Sequence, residues 1–71
     1  MDKIQYEMLL ELSDKDIKEL KRVREAKMAY ETYEAKLTEN LMARMKANGI
    51  TELGDLKLVR ENKFVGIEIL S

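Results

Sequence analysis

Histidine and cysteine are both absent from the 71 residues. That removes the commonest general base, the commonest nucleophilic thiol and the standard zinc ligands. The only serines are Ser13, placed where a helix cap would stand, and Ser71, the last residue. Gly49, Gly54 and Gly66 are scattered singly, so no glycine-rich loop is present to cradle a phosphate. Asp14 and Asp16 could in principle hold a hard cation, but no loop of ligand spacing surrounds them. Acidic residues at a helix start ordinarily serve as caps. The sequence therefore predicts no catalytic residue, no cofactor, no metal site and no enzymatic activity.

One polar feature rises above background. Lys18, Lys21, Arg22, Arg24 and Lys27 form a basic cluster at near-helical spacing. Lys18 and Arg22, with Lys21 close by, can share one helix face and could meet a nucleic-acid phosphate backbone. The simpler expectation is a solvated face whose charges pair with Asp14, Glu19 and Glu25. Tyr30 and Tyr33 fall on an apolar stripe, where core or interface roles outrank base stacking. Lys57, Arg60 and Lys63 form a second, smaller basic group.

These residues must be held by helices. Ser13 and Asp16 have the spacing of a capping box, with Asp in place of the usual Glu. Gly49 follows Asn48 at the far end, where it can take the left-handed conformation that closes a helix. No proline or glycine lies between. Ile17, Leu20, Val23, Tyr30, Tyr33, Leu37, Leu41 and Met45 recur at steps of three or four, except across Ala26 and Lys27. This predicts one long amphipathic helix over 13–48. At ~1.5 Å per residue it would be roughly 50 Å long. A compact chain of this size is a globule only about 28 Å across. Either the helix breaks near Arg24–Lys27 or a second chain covers it. With no breaker at the weak point, we expect the second chain, in a homodimer that pairs Leu20, Val23, Tyr30, Tyr33, Leu37, Leu41 and Met45 as in a coiled coil.

Upstream, residues 1–12 read as a short helix ending at Ser13, with Ile4, Met8 and Leu12 on one face. Leu9, Leu10 and Leu12 are too apolar to stay exposed, so this helix folds back on the long one or docks on a partner. Downstream, Leu56, Leu58 and Arg60 alternate with Lys57 and Val59, and Val65, Ile67 and Ile69 alternate with Phe64, Gly66 and Glu68. That is the period-two signature of a β-hairpin, with a polar turn at Glu61-Asn62-Lys63. Gly54-Asp55 is a turn or bulge signal. A lone hairpin is barely stable in water, so it needs the helix or a second hairpin joined edge to edge.

Length bounds the rest. A chain this short makes one domain, 1–71, with a marginal core. Without cysteine no disulfide can staple it, and oligomerisation is the remaining common staple. Lys and Arg number 13 against 14 Asp and Glu, for a net charge of -1, so this is neither a basic nucleic-acid tail nor an acidic disordered one. No apolar run is long enough to span a bilayer, and no signal peptide opens the chain. We expect a cytoplasmic protein.

Residues 41–50 (Leu41 through Asn48-Gly49-Ile50), then Leu56-Lys57-Leu58-Val59-Arg60-Glu61-Asn62 and Val65-Gly66-Ile67-Glu68-Ile69, resemble the C-terminal end of small phage accessory proteins of the siphovirus resistance-protein type. More remotely they resemble the Mu-type Gam host-nuclease inhibitors. Those families look like a long coiled-coil helix, a Gly-Ile step and a β-hairpin. The present chain lacks their hairpin prolines and has a shorter helix. The resemblance implies a homodimeric, non-enzymatic protein of a mobile element that acts in the host cytoplasm on a nuclease or another nucleic-acid machine. The expected whole is an α+β fold of a short helix, a long helix and a β-hairpin over 50–70. Its expected role is to bind and modulate a larger protein through exposed apolar residues near Leu9, Leu10 and Leu12 or on the hairpin. The alternatives are nucleic-acid binding by the basic cluster, or oligomerisation alone.

Overall fold

The computed structural model describes residues 2–26, 31–61 and 64–70. Two helices, α1 (Lys3–Glu25) and α2 (Glu31–Ala47), precede three strands, β1 (Glu52–Leu53), β2 (Leu56–Glu61) and β3 (Phe64–Ile69). The class is α+β, as the patterning predicts. The helix boundaries are not. Tyr30, Lys27 and the Asn62–Lys63 turn lie outside the described residues.

The helix begins eleven residues earlier than the capping signal suggests, with its cap at Asp2 and not Ser13. Asp2 is the true N-cap: its carboxylate accepts from the Gln5 N–H at 2.8 Å. The chain then stays helical straight through Ser13. A serine inside a helix costs only a few tenths of a kcal/mol against alanine, and here its surroundings offset that. Leu9, Ser13, Ile17 and Leu20 share the buried side of α1, and Ser13, with no solvent exposure, accepts from Arg44 Nη1 of α2 at 3.0 Å. Arg44 also reaches Asp16 Oδ2 at 3.4 Å. The hydroxyl thus serves a contact between helices and not a helix end. We expect Ser13→Ala to destabilise the fold by about 1 kcal/mol, because Arg44 keeps Asp16 and water. A chemical-denaturation series would check it, and no change at all would remove the clamp from the account.

At the other end, the single long helix is corrected to two. α1 closes at Ala26, whose N–H still bonds to the Arg22 carbonyl, and α2 returns antiparallel. Arg24 meets Glu34 near one end of the pair, and Asp16 meets Arg44 nearer the other. The physical reason is the apolar stripe. A straight helix would leave it uncovered, whereas folding at its polar step lets one half of the stripe cover the other. The longest dimension is accordingly 37 Å. Leu20, Val23, Leu37, Leu41 and Met45 all enter one buried cluster within the single chain. These five residues, expected at a dimer interface, are therefore not surface residues of the folded chain. Tyr33 stays half exposed.

The helix-to-sheet junction follows the sequence closely. Gly49 takes φ +66. The Ile50 N–H bonds to the Met45 carbonyl and the Gly49 N–H to that of Lys46, the paired bonds of a Schellman motif. The sheet is antiparallel in the order β1-β2-β3, with a short first strand before the hairpin. Leu56 faces Ile69, Leu58 faces Ile67 and Arg60 faces Val65. Leu53, Leu56 and Ile67 enter the helical core, and Leu58 and Ile69 pack against it. The tight β1–β2 turn rests on α1, where Tyr6 Oη accepts from the Gly54 N–H at 2.9 Å.

Candidate interaction surface

The continuous α1 sets the phase of its outer side. Four-residue steps place Ile4, Met8 and Leu12 in a line, beside the buried Leu9–Ser13–Ile17 line and turned away from the core. The three are 70, 65 and 72 % exposed. Large apolar side chains exposed singly are ordinary; here three stand in a row along one helix face. Glu7 and Glu11 lie beside the row, both exposed. Among the described residues neither makes an ion pair. The row is thus an apolar stripe with an acidic margin.

This geometry re-sorts the predicted partner anchors. Leu9 is buried in the core and Leu10 packs against it; only Leu12 is on the surface. Ile4 and Met8 are exposed beside it on the same face. The signal was present in the spacing, but ending the helix at Ser13 hid which side faced the core.

The basic cluster is neutralised where it is described. Lys18 pairs with Asp14 at 3.0 Å, Lys21 with Asp55 at 2.5 Å, and Arg22 with Glu19. Arg24 bonds to Glu34 at 3.0 Å and to the Ile67 carbonyl at 2.8 Å. Of the expected partners, Asp14 and Glu19 pair with Lys18 and Arg22, whereas Lys21 and Arg24 are half-buried and find theirs on the β1–β2 turn and α2. Hydrogen bonding and charge from Arg22 hold the Glu19 carboxyl below its ordinary pKa, against an opposing effect of burial. Burial, reinforced by Glu19, pushes the Tyr33 phenol up.

Among the described residues, no group of three or more acidic side chains is placed to hold a metal ion. No described helix is long and apolar enough to cross a membrane. Open grooves flank Arg24 on both sides along β3, one lined by Lys21, Glu25 and Ile69 and the other by Glu34, Met42 and Val65. No family model, curated protein or solved structure matches the chain.

Proposed function

We propose that the chain is a small, non-enzymatic interaction protein that modulates a larger protein by laying α1 into an apolar groove on it. The observation that carries this reading is the exposed Ile4–Met8–Leu12 row. Anchors at such steps are the mark of a helix that docks in a groove. Burying three such side chains from their present exposure contributes roughly 3–6 kcal/mol, while association costs about 4–15 kcal/mol. A flat contact along the stripe would therefore gain little. A groove that wraps the helix and sets cations against Glu7 and Glu11 adds what the stripe lacks. That such a partner is a host nuclease or defence complex, and the chain a phage or mobile-element product, rests on the resemblance of residues 41–69 alone. Self-association belongs to the same reading, on a surface other than the helix stripe. Nucleic-acid binding is the weaker reading, since each described cation of the cluster already has a carboxylate partner.

The test is a capture from nuclease-treated lysate of the source cell with wild type and Met8→Glu in parallel. Met8 is exposed, so the substitution should leave stability within about 0.5 kcal/mol. A stoichiometric protein retained by wild type, and bound at least roughly tenfold more weakly by Met8→Glu, is the expected result. A partner that the variant keeps in full would sink the stripe. Partners that vanish with nuclease would move the assignment to the basic cluster.

A further inference from the structure

The outer edge of β3 has no partner strand within the chain. In β2, the Leu58 N–H turns toward β1 and donates to the Thr51 carbonyl at 2.8 Å. Leu58 and Ile67 are therefore a non-bonded pair of the β2–β3 ladder, so the N–H and carbonyl of Ile67 point away from β2. By the two-residue period, those of Val65 and Ile69 do the same. Two bonds support this phase. Arg24 Nη1 reaches the Ile67 carbonyl at 2.8 Å, and the Leu70 N–H, one residue out of phase, turns inward to the Asp55 carbonyl at 2.7 Å. Apart from Arg24's bond, no described residue satisfies these outward groups.

Chains ordinarily protect such an edge with proline, lysine, a bulge or a very short strand. β3 has none of these within the strand; the one cation at its edge among the described residues is Arg24 of α1, on the Ile67 carbonyl. It runs for six residues, Phe64–Ile69, without a proline, a basic residue or a break in its register. We infer that β3 pairs antiparallel with β3 of a second copy, joining two three-stranded sheets into one across a two-fold axis at Ile67. The pairing deepens the proposal of self-association and identifies the surface that carries it.

The choice of a second copy rests on self-complementarity. With the axis at Ile67, the outward backbone groups of Ile67 meet those of the second copy's Ile67. Val65 stands opposite the second copy's Ile69, and Glu68 opposite its Gly66. Every outward donor finds an acceptor, and the one acidic residue of the strand faces a residue with no side chain. Moving the axis to Glu68 would set two carboxylates face to face, which is destabilising. Arg24, at the edge between the two open grooves, keeps Glu34 as its partner and shares the Ile67 carbonyl, which has two lone pairs.

Sedimentation equilibrium from low-micromolar to submillimolar concentration tests this. Wild type should approach twice 8.3 kDa. Val65→Pro removes an outward N–H that bonds nothing inside the chain, so the fold should persist by circular dichroism while dimerisation weakens by roughly tenfold or more. Should the proline variant fail to fold, Val65→Lys sets an edge charge at the same point. The amides of Val65, Ile67 and Ile69 should exchange more slowly as wild-type concentration rises, and Met8→Glu should remain dimeric. A wild type monomeric throughout would overturn self-association and this pairing together, while leaving the docking role of α1 to its own capture test. A folded Val65→Pro or Val65→Lys as dimeric as wild type, or a monomeric Met8→Glu, would overturn the β3 pairing alone.

Discussion

Leu41→Ala should lower the unfolding free energy by about 3 kcal/mol, within the range of about 2–5 kcal/mol for leucine truncations in a core. Leu41 has no solvent exposure and stands in the middle of the buried line Leu37, Leu41, Met45 of α2. Removing its isobutyl group loses the transfer free energy of the side chain and leaves a cavity between α2 and the residues packed on it. Closing that cavity would need two helices and a sheet to move together. At about 0.05–0.15 kcal/mol per residue, a chain of this length is stable by only roughly 4–11 kcal/mol, so this one change removes a large part of the total. The measurement is a urea titration, read as a lower midpoint at unchanged slope. The loss should be the same at every protein concentration, because Leu41 is buried within one chain. If Leu41 lay between two chains, as a straight helix would require, the loss would grow on dilution. A loss under about 1 kcal/mol would contradict the core described here.

Gly54→Val should cost about 2–4 kcal/mol, of which backbone strain is about 1–2 and crowding the rest. Gly54 has φ +59, a conformation that a β-branched residue adopts only under strain. A Cβ at this position would also sit 2.8 Å from Leu10 Cδ1, and Leu10 packs against the core. The end of the leucine side chain can give way, but only by disturbing the contact between the β1–β2 turn and α1. The hydrogen bond from the Gly54 N–H to Tyr6 fixes that turn in place, so moving the backbone instead would break it. Gly49 is the internal control. It has φ +66, yet nothing lies within 4 Å of a Cβ built there. Gly49→Ala should therefore show strain alone, about 1 kcal/mol. Thermal melts of the two variants separate the contributions. Equal losses would mean that the turn does not press on α1 as described.

These two sites also show how far the sequence could be read. The cap at Gly49 was legible because a helix end needs a left-handed residue, and Asn48-Gly49 supplied one after a long apolar period. The hairpin was legible because strand alternation is local: the inward set Leu56, Leu58, Ile67 and Ile69 follows from period two alone. Gly54 was legible as a turn, but not its pressure on Leu10, which comes from a residue 44 positions away in the chain. The Ile4–Met8–Leu12 face was visible as spacing, but its exposure was not, since that depends on which side of α1 the rest of the chain covers.

The sequence by itself determined the class, the closure of α2 at Gly49, the alternation of β2 and β3, and the absence of histidine and cysteine. Each follows from neighbours a few residues apart or from composition. The tertiary structure decided three further things. Ser13 became an inter-helix acceptor and not a cap, because Arg44 lies across from it. The apolar stripe closed on itself after α1, because covering it within one chain removes from water the surface that a straight helix would expose. Lys21 and Arg24 of α1 were taken up by Asp55, Glu34 and the Ile67 carbonyl, which only the folded chain brings near. Local rules set the elements; which polar group meets which, and which apolar face stays in water, depend on contacts between residues far apart in the sequence.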